Sequence, residues 1–335
     1  MEKEKNLMIS WCYCLGTVLV IFGHSHPLGS TYYPQLLHKI IEFIYLFHMP
    51  LFFFLSGFLL EYTGNLKNIQ LKKYMKKKVN LLLIPYIFLS IIGIIPKYLL
   101  ASYTTDNISI NFITIIKMIF SPREGVWGHL WFTPTLLVVL LISIFLYKIK
   151  NNKIQMIMIF IVFLLNIFPI NIDWFAIKDI CKELIYSVAG IYFCKKLVNK
   201  EDRYFKLKYL LFFLATAISV CYYAIYKHNI YIYIYYVYIS WSMIYSILCI
   251  SYFLKNLKIP NYISDNILTL YLYGWPFQAV LEIFVNKIFK LKWYLIFPSM
   301  FIIGIIGPLV MLKIYKKIKI ENKLFNLLLG VREKI

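Results

Sequence analysis

The sequence predicts an all-α, polytopic membrane bundle of about ten transmembrane helices, and three observations carry that reading. Hydrophobic residues make up 61% of the 335 residues and charged residues only 15%, against about half and a quarter in soluble domains. The apolar residues come in long runs, such as Leu130 to Tyr147, each near the roughly 20 residues that cross a hydrocarbon core. Lysines gather in short clusters between the runs, as in loops held on the cytoplasmic side of a membrane.

The candidate helices are the runs 7 to 24, 43 to 62, 79 to 100, 129 to 147, 154 to 170, 179 to 194, 209 to 226, 230 to 254, 262 to 285 and 294 to 314. An N-terminus in the cytoplasm puts Lys67 to Lys78, Lys148 to Lys153, Lys195 to Lys208, Lys255 with Lys258, and Lys313 to Lys334 inside, together with the C-terminus. One helix more or fewer would turn the later clusters outward and spoil the asymmetry. The first run starts at Leu7 without a cleavage site, so it is expected to stay as a membrane helix. With no internal repeat and no Gly/Ser linker, residues 1–335 read as one integral-membrane domain. The outward stretch 101 to 128 is expected to hold a short interfacial helix at Phe112 to Phe120. Tyr and Ile alternate over 227 to 240, but an isolated strand cannot satisfy its backbone in lipid, so a helix is expected there too.

The net charge of +21 is dispersed among these loops and not gathered on one soluble face. That argues against a nucleic-acid partner and for contact with anionic inner-leaflet lipid. The six cysteines lie in or beside apolar runs, and Cys12 and Cys14 are too close for a metal-binding pair; all six read as small buried apolar residues. No Walker loop, zinc constellation or dinucleotide-binding turn is present, so no metal and no permanently bound cofactor is expected.

Polar residues converge on the outward ends of four helices. The first ends in Gly23-His24-Ser25-His26-Pro27, and an ionisable side chain at the margin of a span is costly without a function or a wet cavity. Imidazole is the natural general base near neutral pH. The second carries His48-Met49-Pro50 and Ser56-Gly57, the fourth begins Trp127-Gly128-His129-Leu130-Trp131, and the ninth holds Gly274-Trp275-Pro276. Pro50 should free a backbone carbonyl and Gly57 should admit a close helix neighbour. Asp106, Asp173, Asp179 and Glu183 are outer-side acids available to orient a histidine.

These words bring in a family. Val18-Leu-Val-Ile-Phe-Gly-His24-Ser25, Phe47-His-Met-Pro-Leu-Phe-Phe-Phe-Leu-Ser-Gly57, Leu83-Ile-Pro-Tyr86 and His129-Leu-Trp-Phe132 stand in the order found in integral-membrane acyltransferases of the acyltransferase 3 family. The chain resembles in particular the fucose 4-O-acetylase-like branch. The resemblance implies acetyl-CoA as acyl donor and a hydroxyl of a cell-surface polysaccharide or its lipid-linked precursor as acceptor, at the plasma membrane. It implies His24 as the base, with His48 orienting it or donating to the thioester oxygen. Trp131, His129, Ser56 and Trp275 would line the acceptor or acyl site, and Lys72, Lys73, Lys76, Lys77 and Lys78 would hold the donor's phosphates at the cytoplasmic mouth. Two positions depart from the family: its usual cation, eleven residues before the histidine, is Tyr13 here, and a late histidine is Gly274. An exporter or flippase for a polysaccharide intermediate is the alternative.

Overall fold

The computed structural model describes residues 2–26, 34–64, 66, 69–99, 120–125, 127–197, 204–226, 232–257, 261–289, 291–318 and 322–331. Pro27, Asp106, most of the expected interfacial helix at 112 to 120, and 227 to 231 lie outside them. Among the described residues every regular element is helical and none is a strand.

The helices run α1 (Glu2–Gly23), α2 (Gln35–Tyr45), α3 (His48–Tyr62), α4 (Leu71–Ile92), α5 (Ile94–Leu99), α6 (Phe132–Tyr147), α7 (Asn152–Ile167), α8 (Ile177–Leu197), α9 (Leu207–Tyr226), α10 (Ile232–Leu254), α11 (Asn261–Ser264), α12 (Ile267–Glu282), α13 (Trp293–Lys317) and α14 (Lys323–Leu328). Short 3-10 turns, Pro122–Glu124, Gly128–Trp131 and Trp174–Ala176, stand before α6 and α8. In each of the ten apolar runs most of the described residues are helical. Six are long and apolar enough to cross a membrane: Gln35–Tyr62, Leu71–Leu99, Gly128–Tyr147, Tyr233–Leu254, Ile267–Val285 and Trp293–Lys317. Leu7–Gly23, Asn152–Ile167 and Leu207–Tyr222 are apolar but shorter. The remaining run, α8, carries Lys178, Asp179, Lys182 and Glu183 in its first two turns, which dilutes its hydropathy.

One boundary differs from the sequence reading. The run 43 to 62 is broken, because the chain leaves the helix at Phe47 (φ −132°, ψ −17°) before restarting at His48. Pro50 has no N–H to give to the Leu46 carbonyl. That carbonyl instead accepts the Ser240 hydroxyl of α10 at 2.6 Å, so the group a proline frees is satisfied from another helix.

α1 is the hub, touching α2, α3, α10, α11, α12 and α13. The tightest crossing is α3 on α8, where two glycines face each other's backbone. A Cβ added at Gly57 would lie 1.9 Å from the Ser187 carbonyl oxygen, and one at Gly190 would lie 2.0 Å from that of Phe54. Ser187 also accepts the Ser143 hydroxyl of α6 at 3.0 Å. Small residues let helices gain dispersion contacts that lipid does not supply. The aromatic face of α3 fills the centre, with Phe47, Phe53 and Phe58 fully enclosed. None of the six cysteines forms a disulfide, and only Cys221 is not fully buried.

Gly190→Ala should therefore force the α3 and α8 backbones apart, at about 1–3 kcal/mol for an overpacked contact. The purified protein should melt well below wild type, while Gly274→Ala, whose new carbon first meets an atom at 3.2 Å, should lose less. Equal melting of the wild type and Gly190→Ala would show that the two helices are not held by this approach.

Candidate functional site

The end of α1 is pinned from three directions. Gln278 of α12 donates Nε2 to the Ile21 carbonyl (2.9 Å) and to the Ser25 hydroxyl (3.0 Å), and Ser25 itself donates to Ile21 (2.6 Å). The Tyr45 hydroxyl of α2 donates to the Gly23 carbonyl at 2.8 Å, and the His26 ring bonds the same oxygen through Nδ1 at 2.9 Å. Gly23 is required at this spot, since a Cβ would come within 2.7 Å of the Tyr45 ring. These bonds cap carbonyls that the helix end leaves without partners. His26 lies outside the spans, and burial pushes its imidazole below its ordinary value, against the raising effect of its bond to Gly23.

His24, held at this pinned turn, faces a cluster of rings. Its centroid lies 6.5 Å from that of His129 and 5.9 Å from that of Tyr45. His129 stands 4.8 Å from Trp275, 6.0 Å from Trp127 and 6.3 Å from Tyr271, whose hydroxyl bonds the His129 carbonyl at 2.5 Å. The Leu272 carbonyl, released by Pro276, lies beside the buried His129 ring as its one backbone hydrogen-bond partner, and the ring has no other hydrogen-bond partner among the described residues. A buried polar atom left without a partner costs about 1–3 kcal/mol, which is tolerable where a substrate atom completes the bond.

His48 joins the group indirectly. It is buried and bonds the Ile44 carbonyl through Nδ1 at 2.9 Å, an arrangement that places the proton on Nδ1. The Tyr45 ring, 5.2 Å from His48, also contacts His24, so a tyrosine links the two histidines. Among the described residues no carboxylate bonds the His24 ring.

Trp131 is placed differently from an open lining residue. It is buried, with the Arg123 guanidinium 3.8 Å from its ring centre and Phe53 at 6.2 Å. Arg123 in turn donates Nε to both oxygens of Asp179, at 2.9 and 2.8 Å. The chain enters α8 through Phe175 and Ala176, both at left-handed φ (57° and 54°), a costly turn that sets Asp179 in the first turn of the helix. Of the acids expected to orient a histidine, Asp179 is thus committed to Arg123, Glu183 lies buried one turn on, and Asp173 is exposed.

Below the rings runs a cavity of about 910 Å³. Its walls include Val20 and Ile21, one turn before His24; Phe132 and Tyr271, beside His129; and Tyr13, Thr17 and Ser56 lower down. Lys73, Lys76, Lys77 and Lys78 of α4 line it as well, while Lys72 does not. At the other end of α4, Gly93 abuts Trp127, and the fifteen residues back to Lys78 span about 22 Å. The cavity thus joins the lysines to the turn beneath the histidines. Among the described residues, no three His, Cys, Asp or Glu side chains are placed to hold a metal ion.

The structure therefore gathers His24, His129 and Trp275, brings His48 in across Tyr45, and sets Ser56 and four of the five lysines on one cavity. Sequence reasoning missed Tyr45, Gln278 and Arg123. For Arg123 a signal existed: it is one of three arginines in the chain, and it sits in a stretch that the lysine pattern assigns outward.

A protein-family model described as an acyltransferase domain matches residues 9–313, nearly the whole chain. Among curated proteins and among solved structures, none matches.

Removing Arg123 leaves the Asp179 carboxylate buried without its cation. Arg123→Met should cost about 2 kcal/mol, within the usual range for a stranded buried acceptor. Asp179→Asn in the same background should recover part of the loss. Thermal melts of the three variants check this, and additive losses would mean that the two side chains do not act as a pair.

Proposed function

The chain belongs to the acyltransferase 3 family, and on that premise we propose that it moves acetyl from cytoplasmic acetyl-CoA onto a hydroxyl of a cell-surface polysaccharide or its lipid-linked precursor. In this reading all ten helical runs span the plasma membrane, both termini are cytoplasmic, and the chain falls in the fucose 4-O-acetylase-like branch. The observation that carries the reading is the cavity linking the α4 lysines to the turn that holds His24.

The polarity of that cavity supports an amphiphilic donor. Lys73, Lys76 and Lys77 make no ion pair among the described residues, and spaced at i, i+3 and i+4 they repel one another. A polyanion relieves that repulsion, so the CoA phosphates belong at this end. Farther in, Val20, Ile21, Met49, Phe52, Phe132 and Leu136 give an apolar passage for the pantetheine arm. The thioester then lies one turn from His24. An alcohol attacks poorly at neutral pH unless a base takes its proton as the bond forms. His24 accepts the proton of the acceptor hydroxyl, the hydroxyl oxygen bonds the acyl carbon, the carbon–sulfur bond breaks, and the proton passes from His24 to the departing thiolate. His129, whose ring stands 6.5 Å from that of His24, serves as the donor for the oxygen that becomes negative, a contact typically worth about 3 kcal/mol of barrier. His48 acts through Tyr45 on the position of His24. Trp275 packs the His129 side of the acceptor site, whereas Trp131 supports it from within the core.

His24→Ala, expressed in a strain lacking other O-acetylases, should lower transfer by about a hundredfold or more, the usual contribution of a general base. Mass spectrometry of surface glycans should then show them present without acetyl esters. Full acetylation with the variant inserted normally, or glycan retained inside the cell as an export defect requires, would overturn the proposal.

A further inference from the structure

The last described residues, 322–331, lie beyond the end of the family match at 313, yet they are built into the bundle. Thr269 of α12 donates its hydroxyl to the Leu329 carbonyl and Tyr273 donates to that of Leu328, each at 2.8 Å. Thr269 is completely buried. The Tyr315 hydroxyl of α13 bonds Asn326 Oδ1 at 2.9 Å. Gly330 adopts φ +68°, reachable without strain only by glycine, and lays its backbone on α12, where an added Cβ would meet Leu272 at 3.0 Å and Leu268 at 3.1 Å. α14 packs on α4 as well, the helix that carries the lysines.

The inward side of this segment is cavity wall. Asn326, Leu327 and Val331 line the same 910 Å³ space as Lys73, Lys76 and Lys77. The anchoring bonds go to backbone carbonyls and to the Asn326 oxygen, which leaves the Asn326 amide nitrogen and the Leu327 side chain to the cavity. A loose tail would need none of these contacts.

We propose that residues 322–331 form part of the donor-binding site, with Asn326 beside the polyanionic head of a coenzyme A thioester and Leu327 packing its arm. The inference rests on the donor reading given above. It extends the binding site to a segment outside the family's matched region and makes donor affinity a property of the C-terminus of this chain.

Two full-length variants separate the possibilities. Asn326→Asp keeps the acceptor for Tyr315 but adds a negative charge to the lysine-lined space, and Leu327→Trp narrows the passage. Acetyl-CoA binding to detergent-purified protein is measured by isothermal titration, with thermal melts alongside. The expected result is binding by the wild type, about tenfold weaker binding by each variant, melting temperatures close to wild type, and for Asn326→Asp a loss that shrinks at high salt. Should Leu327→Trp fail to fold, Asn326→Asp alone decides. Wild-type affinity in Asn326→Asp overturns the inference and leaves the donor reading intact. No binding of acetyl-CoA by the wild type overturns both.

Discussion

Inside a bilayer, a backbone carbonyl released by a break in a helix must find its donor within the protein. The architecture around the site is a set of answers to that requirement. Pro50 releases the Leu46 carbonyl, and Ser240 from α10 takes it. The end of α1 releases the Ile21 and Gly23 carbonyls, and Gln278, Ser25, Tyr45 and His26 take those. Each answer ties the broken end to a different helix. The polar turn that presents His24 is therefore fixed by the same bonds that make a helix terminus tolerable at that depth. Rigidity at the site follows from satisfying the backbone, before any catalytic demand is considered.

The glycine contact between α3 and α8 extends this logic sideways. With Gly57 against Ser187 and Gly190 against Phe54, the two backbones approach far more closely than side chains would allow. That approach draws the first turn of α8 toward the 3-10 turns before α6. Asp179 then meets Arg123, and Arg123 covers Trp131. A charged pair near the membrane margin is costly in isolation, but here it seals the apolar face of a tryptophan and keeps Arg123 from facing the histidines as a bare cation. The close packing of small residues and the electrostatics around Arg123 are thus one feature.

What the sequence revealed follows from what is local in it. Apolar runs, lysine clusters and the His24, His48 and His129 words are features of short windows, and the described residues of each run are mostly helical. The six spans long enough to cross unaided are the ones a hydropathy window finds; α8 is not among them, because Lys178, Asp179, Lys182 and Glu183 charge its first two turns and Asp179 serves a contact made across the fold. The break at Phe47 was half visible: Pro50 announced a free carbonyl, but nothing nearby named Ser240, 194 residues away, as its donor. Gln278 reaches Ile21 across 257 residues, and Arg123 reaches Asp179 across 56. Such pairs are chosen by packing geometry and leave no periodic trace. Tyr45 stayed hidden for another reason, since one tyrosine among 29 carries no signal of its own.

In the proposed reading, the distribution of charge along the cavity gives a bound donor one orientation. At one end Lys73, Lys76 and Lys77 lack counterions among the described residues, so a polyanionic group gains there from charge that the protein leaves unbalanced. At the other end the strong cation nearest the rings, Arg123, is already engaged by Asp179. A second resting place for phosphates beside His24 is therefore absent from the described residues, and the apolar walls between the two ends disfavour a charged group lodging midway. On that reading a thioester with a phosphate head enters with its head at the lysines, which carries its acyl carbon toward the turn pinned by Gln278 and Tyr45. In a passage built for export, cargo must leave at the end opposite its entry. Here Tyr271 is in the wall and His129 packs on both Tyr271 and Trp275, and in the proposed reading this ring cluster is where the acyl group changes carrier.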